Sequence, residues 1–387
     1  MDLRHHIFDD REYITGLRRA LHACPEPALQ EKETARMVGG ELTRLGIPWQ
    51  PLPPGHGLVG VIRGGKPGKT VMLRADMDAL KVAEKTGLPF ASKNDGFMHA
   101  CGHDAHMAML LGAANALQAA SAQLGGTVLC VFQGAEEIGQ GHEEVLEYLR
   151  GIGGVDAALG LHIWSLIPEG EILLPDGPVF AGVRTFRVSV KGRGGHSGRP
   201  DLAADPIRAA CELVLKFASI PVNQYDALDH AVVSVGLMEA GTAGNVFPSE
   251  AKLHGSLRWF KPGGEQKVME AMERIARGVG EIYGVECAVE FLAFIPPVVN
   301  DPALSGMGRA LVPSIPGLAV SASAEPIIAG DNMGAYLREY PGFYGILGGG
   351  KKEGAAYPHH HEEFDIDEGA LVKGAALLAQ FAADFLG

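Results

Sequence analysis

Several features are scarce in this chain, and each scarcity closes off a class of function. No apolar run approaches the roughly 20 residues a membrane-spanning helix needs, because Gly, Pro or charge interrupts each one. The opening residues Met1-Asp2-Leu3-Arg4-His5-His6 contain no apolar stretch, so no signal peptide is expected. Basic residues are outnumbered, and the formal net charge is −13. That balance argues against nucleic acid or an anionic membrane as partner. It leaves room for a small anionic substrate met by a local Arg. The five cysteines (Cys24, Cys101, Cys130, Cys211 and Cys287) are scattered, odd in number and without a CxxC pair. A reduced, cytoplasmic setting fits that usage. Cys101 alone stands among metal-binding side chains, and the other four are expected to be buried small apolar residues.

Nucleotide-binding and nucleophile motifs are also missing. Residues 192–200 (GRGGHSGRP) have Ser197 where G-x-G-x-x-G needs its last Gly, and residues 345–352 resemble a Walker A loop but carry Lys352 in place of Ser or Thr. No G-x-S-x-G elbow is present. Internal repeats and coiled coils are absent as well. What the chain does have is length and apolar content. Its 387 residues, 47 % of them hydrophobic, suffice for about two or three domains.

Chemistry concentrates in residues 98–107 (MHACGHDAHM), where three His, a Cys and an Asp surround a Gly. Thiolate, imidazole and carboxylate are the side chains that bind borderline-soft divalent metals. Ahead of this stretch, helices are expected over 10–22 and 31–45, and strands over 58–62 and 70–73 with a turn at 64–68. The second strand leads into Asp76 and Asp78. A helix is expected over about 104–120, and Asp104 is placed to cap it. Apolar runs at 127–132 and 157–161 have the composition of central parallel strands. They lead to Glu136-Glu137 and to His162. Three strands thus deliver carboxylate or imidazole to one rim, the edge where open α/β sheets bind ligands. At a strand end, adjacent Glu136 and Glu137 would point to opposite sides. One could then hold metal while the other holds a water, the division that metal-assisted hydrolysis requires.

Beyond residue 183 the pattern changes. Residues 185–191 alternate, a helix covers about 204–218, alternating runs follow at 231–237 and 250–258, and then come a helix near 264–283 and a strand near 285–292. This β-α-β-β-α-β order predicts a ferredoxin-like α+β domain at 183–294, inserted into a discontinuous α/β domain at 1–182 and 295–387. The second part of that domain has helices near 301–311 and 367–386, with strands near 318–322 and 343–347. The internal run His359-His360-His361 is either an exposed loop or a donor that closes the metal site.

Taken in order, RADMDAL at 74–80, MHACGHDAHMAM at 98–109, FQGAEE at 132–137, Gly160-Leu161-His162, Gly194-Gly195-His196 and Asn245-Val246-Phe247-Pro248 resemble the M20 metallopeptidase family. The likeness is to its amidohydrolase branch of hippurate, N-acyl-amino-acid and auxin-conjugate hydrolases. It runs from about His22 to Phe364. The resemblance implies a zinc-exopeptidase-like fold: a mixed, mainly parallel sheet flanked by helices, with the inserted domain acting as lid and dimerisation element. It also implies a binuclear centre of two divalent ions (Zn²⁺, Mn²⁺, Co²⁺ or Ni²⁺) on Cys101, His103, Glu137, His162 and His360. Glu136 would be the general base. His196 would hold the scissile carbonyl, often across a dimer, and Asn245 and Arg258 would bind the substrate carboxylate. The implied reaction is hydrolysis of N-acyl amino acids by a cytoplasmic homodimer. A diamino-acid deacetylase, a small-peptide hydrolase and a non-catalytic binding relative are the alternatives. Lys81, Gly134 and Asp331-Asn332 depart from the usual family residues around the pocket.

Overall fold

The computed structural model describes residues 1–53, 57–323, 325–351 and 356–387; Lys352 lies outside them. The backbone divides into two compact units. One comprises Met1–Val179, Val299–Glu325 and Ala335–Gly387, and the other Phe180–Val298 and Pro326–Gly334.

The first unit is built on an eight-stranded sheet. Its order is Trp49–Pro51, Leu58–Arg63, Gly125–Gln133, Lys66–Asp76, Ala157–Pro168, Gly342–Gly350, Glu171–Leu173, Ala319–Val320. The central four, from Gly125–Gln133 to Gly342–Gly350, run parallel. Their middle stretches, such as Val71–Leu73, Val128–Phe132 and Ala157–Leu161, are buried apolar runs, as expected of central parallel strands. Helix His103–Ala119 is buried on nearly every side and packs against Arg11–His22 and Gly369–Leu386. Among the described residues, Gly369–Leu386 is the one helix long and apolar enough to cross a membrane by length and composition, although Lys373 and Asp384 interrupt its apolar run. Its residues 370–383 are all buried inside this unit, as suits a core helix.

Several boundaries differ from those expected. The helix expected at 10–22 is Arg11–His22, and a further short helix, Arg4–Asp9, precedes it. Strand Lys66–Asp76 takes in Lys66, Pro67 and Gly68 of the expected turn. Strand Ala157–Pro168 continues past the apolar run because Gly342–Gly350 pairs along its length. Helix Met333–Glu339 was not foreseen. The cysteines are all free thiols, but only Cys130 is buried. Cys24 and Cys287 are half-buried and Cys211 is exposed. Cys211 falls off the buried stripe of its helix, which runs through Ala209, Ala210, Leu213 and Phe217.

The second unit is a four-stranded antiparallel sheet in the order Ala231–Ala240, Glu250–Trp259, Gly182–Lys191, Glu286–Ile295. Helices Pro206–Ala218 and Gly264–Tyr283 pack on it, giving the ferredoxin-like topology. Phe186, Val188 and Val190 point into its core. Ala231–Ala240 is an edge strand with Val232, Leu237 and Met238 exposed.

In the first unit, the start of helix His103–Ala119 is fixed by a buried charge cluster. Asp104 does not cap the helix. Its Oδ2 accepts from Arg18 Nε at 2.8 Å, and His22 Nδ1 lies 2.8 Å from the same oxygen. His22 Nε2 lies 3.3 Å from Glu84 Oε1. Burial opposes a charge on His22, but Asp104 and Glu84 outweigh it and raise its pKa to about 9. The unfolded value is about 6.5, so this stabilisation is fully present below pH ~6.5 and fades as pH rises through 9. We expect His22→Gln to lower the melting temperature at pH 6 and the gap to wild type to narrow towards pH 9.5. Thermal melts across that range check it; a gap independent of pH would refute the linkage.

Candidate active site

Five segments of the first unit bring donors together. Strand Lys66–Asp76 ends at Asp76, with Asp78 just beyond. Buried Arg74 pairs with Asp76 at 2.9 Å and fixes its carboxylate. Gly102 precedes helix His103–Ala119 with φ of 88°, a conformation that favours glycine. A Cβ there would also lie 2.4 Å from Ile163 Cγ2, so no larger residue fits between Cys101 and His103. The ladder between Lys66–Asp76 and Ala157–Pro168 stops at Gly160, which leaves His162 just past it. His162 therefore sits at the rim although its strand runs on. The loop carrying His360 is tied to Cys101's neighbour, with His360 N–H donating to Ala100 O at 2.8 Å. His360 itself is left-handed, with φ of 66°.

Glu136 and Glu137 do not lie on extended backbone. They begin a single 3₁₀ turn, Glu136–Ile138. Their side chains are therefore not on opposite sides, and both come within reach of His103. Asp78 accepts from both of their backbone N–H groups, each at 3.0 Å.

Cys101, His103 and His162 place donor atoms within 4.8 Å of one another, as do Cys101, Glu137 and His360, so Cys101 is common to two groups of three. His103, Glu136 and Glu137 form another group, and Asp76, His103 and His106 a fourth. Two observations fit divalent cations. The donors are sulfur, imidazole nitrogen and carboxylate oxygen. In addition, His103 Nε2 and Glu137 Oε1 are buried, 3.8 Å apart and without a hydrogen-bond partner among the described residues. Such orphaned donors are costly unless an ion satisfies them. The clusters suit two ions.

The surrounding groups select ring orientations. Asp78 O lies 2.8 Å from His103 Nδ1, turning Nε2 inward. His162 Nδ1 lies 2.6 Å from Ile163 O, leaving Nε2 3.6 Å from Cys101 Sγ. His106 links Asp76 Oδ1, at 2.6 Å, to the Ile163 N–H, at 2.9 Å. Partners of this kind set metal-ligand tautomers. Electrostatics agree with a cation site. Burial pushes the Cys101 thiol up. Burial also lifts Glu137, with His103 opposing and Asp78 adding, to about 7. Burial holds His162 well below the usual range.

The His run divides its labour. His360 Nε2 lies 3.6 Å from Glu137 Oε2. His359 stacks on Trp164 at 4.2 Å, and His361 stacks on Tyr357 at 4.5 Å. The stack of His359 and Trp164 beside His162 was not foreseen. Of the positions expected to touch substrate, three belong to the second unit. His196 is exposed and its Nδ1 accepts from Gly198 N–H at 3.0 Å. It pairs with Val246, and Asn245 O accepts from Ser197 N–H at 3.1 Å, so His196 and Asn245 are neighbours. Arg258 lies towards the other end of strand Glu250–Trp259, paired with Val183, and burial lowers its pKa.

A mainly parallel α/β sheet with sulfur, nitrogen and oxygen donors at its rim and a spare carboxylate beside them defines a metallohydrolase. The chain belongs to the peptidase family M20/M25/M40, whose model matches residues 72–384. It is similar to thermostable carboxypeptidase 1 of Saccharolobus solfataricus, 36 % identical over 99 % of this chain and 98 % of that protein. It is also similar to the N-acetylcysteine deacetylase of Bacillus subtilis, 36 % identical over 95 % of this chain and 96 % of the relative. Among solved structures it resembles the Bacillus subtilis YxeP protein, a dinuclear metal-binding peptidase of the M20 family. The TM-score is 0.85 and the identity 34 %, over 97 % of this chain and 98 % of that one. The chain is thus an enzyme, a hydrolase of amide bonds.

Proposed function

We propose that this enzyme hydrolyses N-acyl amino acids to a carboxylic acid and a free amino acid. The observation that carries the proposal is the convergence of Cys101, His103, Glu137, His162 and His360 beside Glu136. These five residues hold two divalent ions, drawn from Zn²⁺, Mn²⁺, Co²⁺ and Ni²⁺. When bound, the ions supply Lewis acidity to the scissile carbonyl and lower the pKa of water. Glu136 takes a proton from the attacking water as the new C–O bond forms. It delivers that proton to the amide nitrogen as the C–N bond breaks, so one carboxylate serves as base and then acid. His196 donates to the carbonyl oxygen as charge builds there. Asn245 and the Arg258 fork bind the substrate carboxylate.

Strand geometry supports exchange of residues between copies. Glu250, paired with Lys191 at the end of the strand from which the chain leads on to His196, and Arg258 lie eight residues apart on one continuous strand, about 26 Å. A small amino-acid conjugate is too short to span that strand, which favours His196 and Arg258 coming from different copies. We infer a homodimer in which each site uses Arg258 from one copy and His196 from the other. The exposed apolar edge strand Ala231–Ala240 provides a surface for pairing. The carboxypeptidase relative favours a second substrate class, small peptides. In either case the substrate is small, and the net charge of −13 disfavours nucleic acid and anionic membrane. The reduced thiols suit a cytoplasmic enzyme.

The test is a release assay on N-acetyl-, N-benzoyl- and longer N-acyl-amino acids with dipeptides alongside. It is run on metal-free protein and after addition of each ion. Turnover of at least one N-acyl amino acid, dependent on added ion, is expected. Turnover of dipeptides alone would move the enzyme to the second class, and no turnover at all would overturn the proposal.

A further inference from the structure

The turn bearing Glu136 has an unusual backbone. Ala135 is left-handed with φ of 59°, a conformation a residue with a Cβ rarely adopts. Something must hold it there. The N–H groups of three successive residues, 135, 136 and 137, all donate to buried carboxylates. Asp78 takes those of Glu136 and Glu137, at 3.0 Å each. Glu31 Oε1 takes that of Ala135 at 2.7 Å. Asp78 belongs to the strand end already described. Glu31 comes from the N-terminal helix region, 104 residues away in sequence, and is fully buried.

Glu31 is itself firmly placed. It immediately precedes helix Lys32–Arg44 and accepts the first helical hydrogen bond, from Ala35 N–H at 2.9 Å. Glu26 anchors the same turn, its Oε2 accepting from Thr34 N–H at 2.8 Å and Thr34 Oγ1 at 2.9 Å. Gly134 gives the Glu31 carboxylate room, since a Cβ there would lie 2.9 Å from Oε1. The arrangement joins a buried charged acceptor, a strained turn and a glycine that admits the acceptor.

We infer that Glu31 is a positioning residue for hydrolysis: its carboxylate holds Ala135 left-handed and thereby aims Glu136 at the attacking water. The inference rests on Glu136 being the base. It assigns Glu31 no contact with substrate or ion, and no proton transfer. A charge-assisted hydrogen bond is among the stronger ones available, and small misplacements of a catalytic group cost rate steeply.

The experiment measures kcat, KM, ion content and melting temperature for Glu31→Met, Glu31→Gln and Gly134→Ala, using an N-acetyl-amino acid that the wild type hydrolyses. Glu31→Met keeps the length and removes the acceptor; kcat should fall about 10- to 100-fold with KM within about twofold and both ions retained. Glu31→Gln restores an oxygen acceptor and should recover most of that loss. Gly134→Ala displaces the same carboxylate and should lower kcat, and combining it with Glu31→Met should give less than the product of the two effects. In the Glu136→Gln background, Glu31→Met should change residual turnover little. Loss of ions in parallel with kcat, no recovery in Glu31→Gln, or fully multiplicative effects would overturn the inference. So would a folded Glu31→Met protein with wild-type kcat; Glu136→Gln inactive beside it would leave the base assignment standing. Near-normal kcat in Glu136→Gln would instead remove the base and the inference together.

Discussion

Glu136→Gln should keep both ions and lose turnover by a factor on the order of 10⁴. The amide is isosteric with the carboxylate, and the backbone N–H of residue 136 still donates to Asp78, at 3.0 Å in the native enzyme. The turn and the donors on Cys101, His103, Glu137, His162 and His360 are therefore undisturbed. What disappears is the ability to take a proton from water and return it to the leaving nitrogen. Because the same side chain serves both transfers, its loss affects both formation and collapse of the tetrahedral species. KM should change little, since Glu136 is assigned no grip on the substrate. Steady-state kinetics together with metal analysis of the purified variant check this. A kcat within tenfold of wild type would remove Glu136 from its role, and loss of ions would show that it is a ligand instead.

Cys101→Ala should be nearly as damaging, by another route. Cys101 belongs to two of the four groups of three, so its removal should weaken both. We expect fewer than two ions per chain and kcat reduced more than about 100-fold, beyond the usual effect of losing a residue that only orients a ligand. Chelation of the wild type should likewise abolish activity and lower the melting temperature. An ion at 100 times its Kd contributes about 2.7 kcal/mol, or several degrees for a unit of this size. The dependence on pH has a definite sign. Burial raises the pKa of Cys101, and that of Glu137 to about 7, so both hold protons that a cation must displace. Ion affinity should therefore weaken as pH falls below about 7 and strengthen above it. Metal titrations at pH 6, 7 and 8 measure this; affinity independent of pH would contradict the ligand assignment.

The donors were legible in the sequence because their signal is local. Cys101 and His103 sit two apart around a glycine, and the remaining donors follow apolar strands or a histidine run. The inserted unit was legible for a similar reason: residues 185–191 alternate with period two, and the helix–strand order does the rest. Long-range contacts were not legible. Asp104 has the spacing of a helix cap, yet Arg18 and His22, more than 80 residues earlier, claim its carboxylate. A buried cation outcompetes a local backbone N–H for the same oxygen. His162 follows a short apolar run, but its strand is prolonged by Gly342–Gly350, which lies far along the chain. At the 3₁₀ turn of Glu136, Asp78 and Glu31 accept three successive N–H groups, and no local pattern announces that. Glu31 could have been flagged only as an acidic residue just ahead of an amphipathic helix.

Strand Gly342–Gly350 and helix Gly369–Leu386 have a bearing on biogenesis. Both are central to the first unit, and both are translated after the bulk of the second. On the ribosome, residues 1–179 emerge with an open flank on strand Ala157–Pro168 and no cover from the late helix. The second unit, whose sheet lies wholly within residues 182–295, can close first. The first unit can be completed only after its late strand and helix have been made. Its half-made sheet is exposed for the whole time the insert is being synthesised, the interval in which chaperone engagement or aggregation would occur.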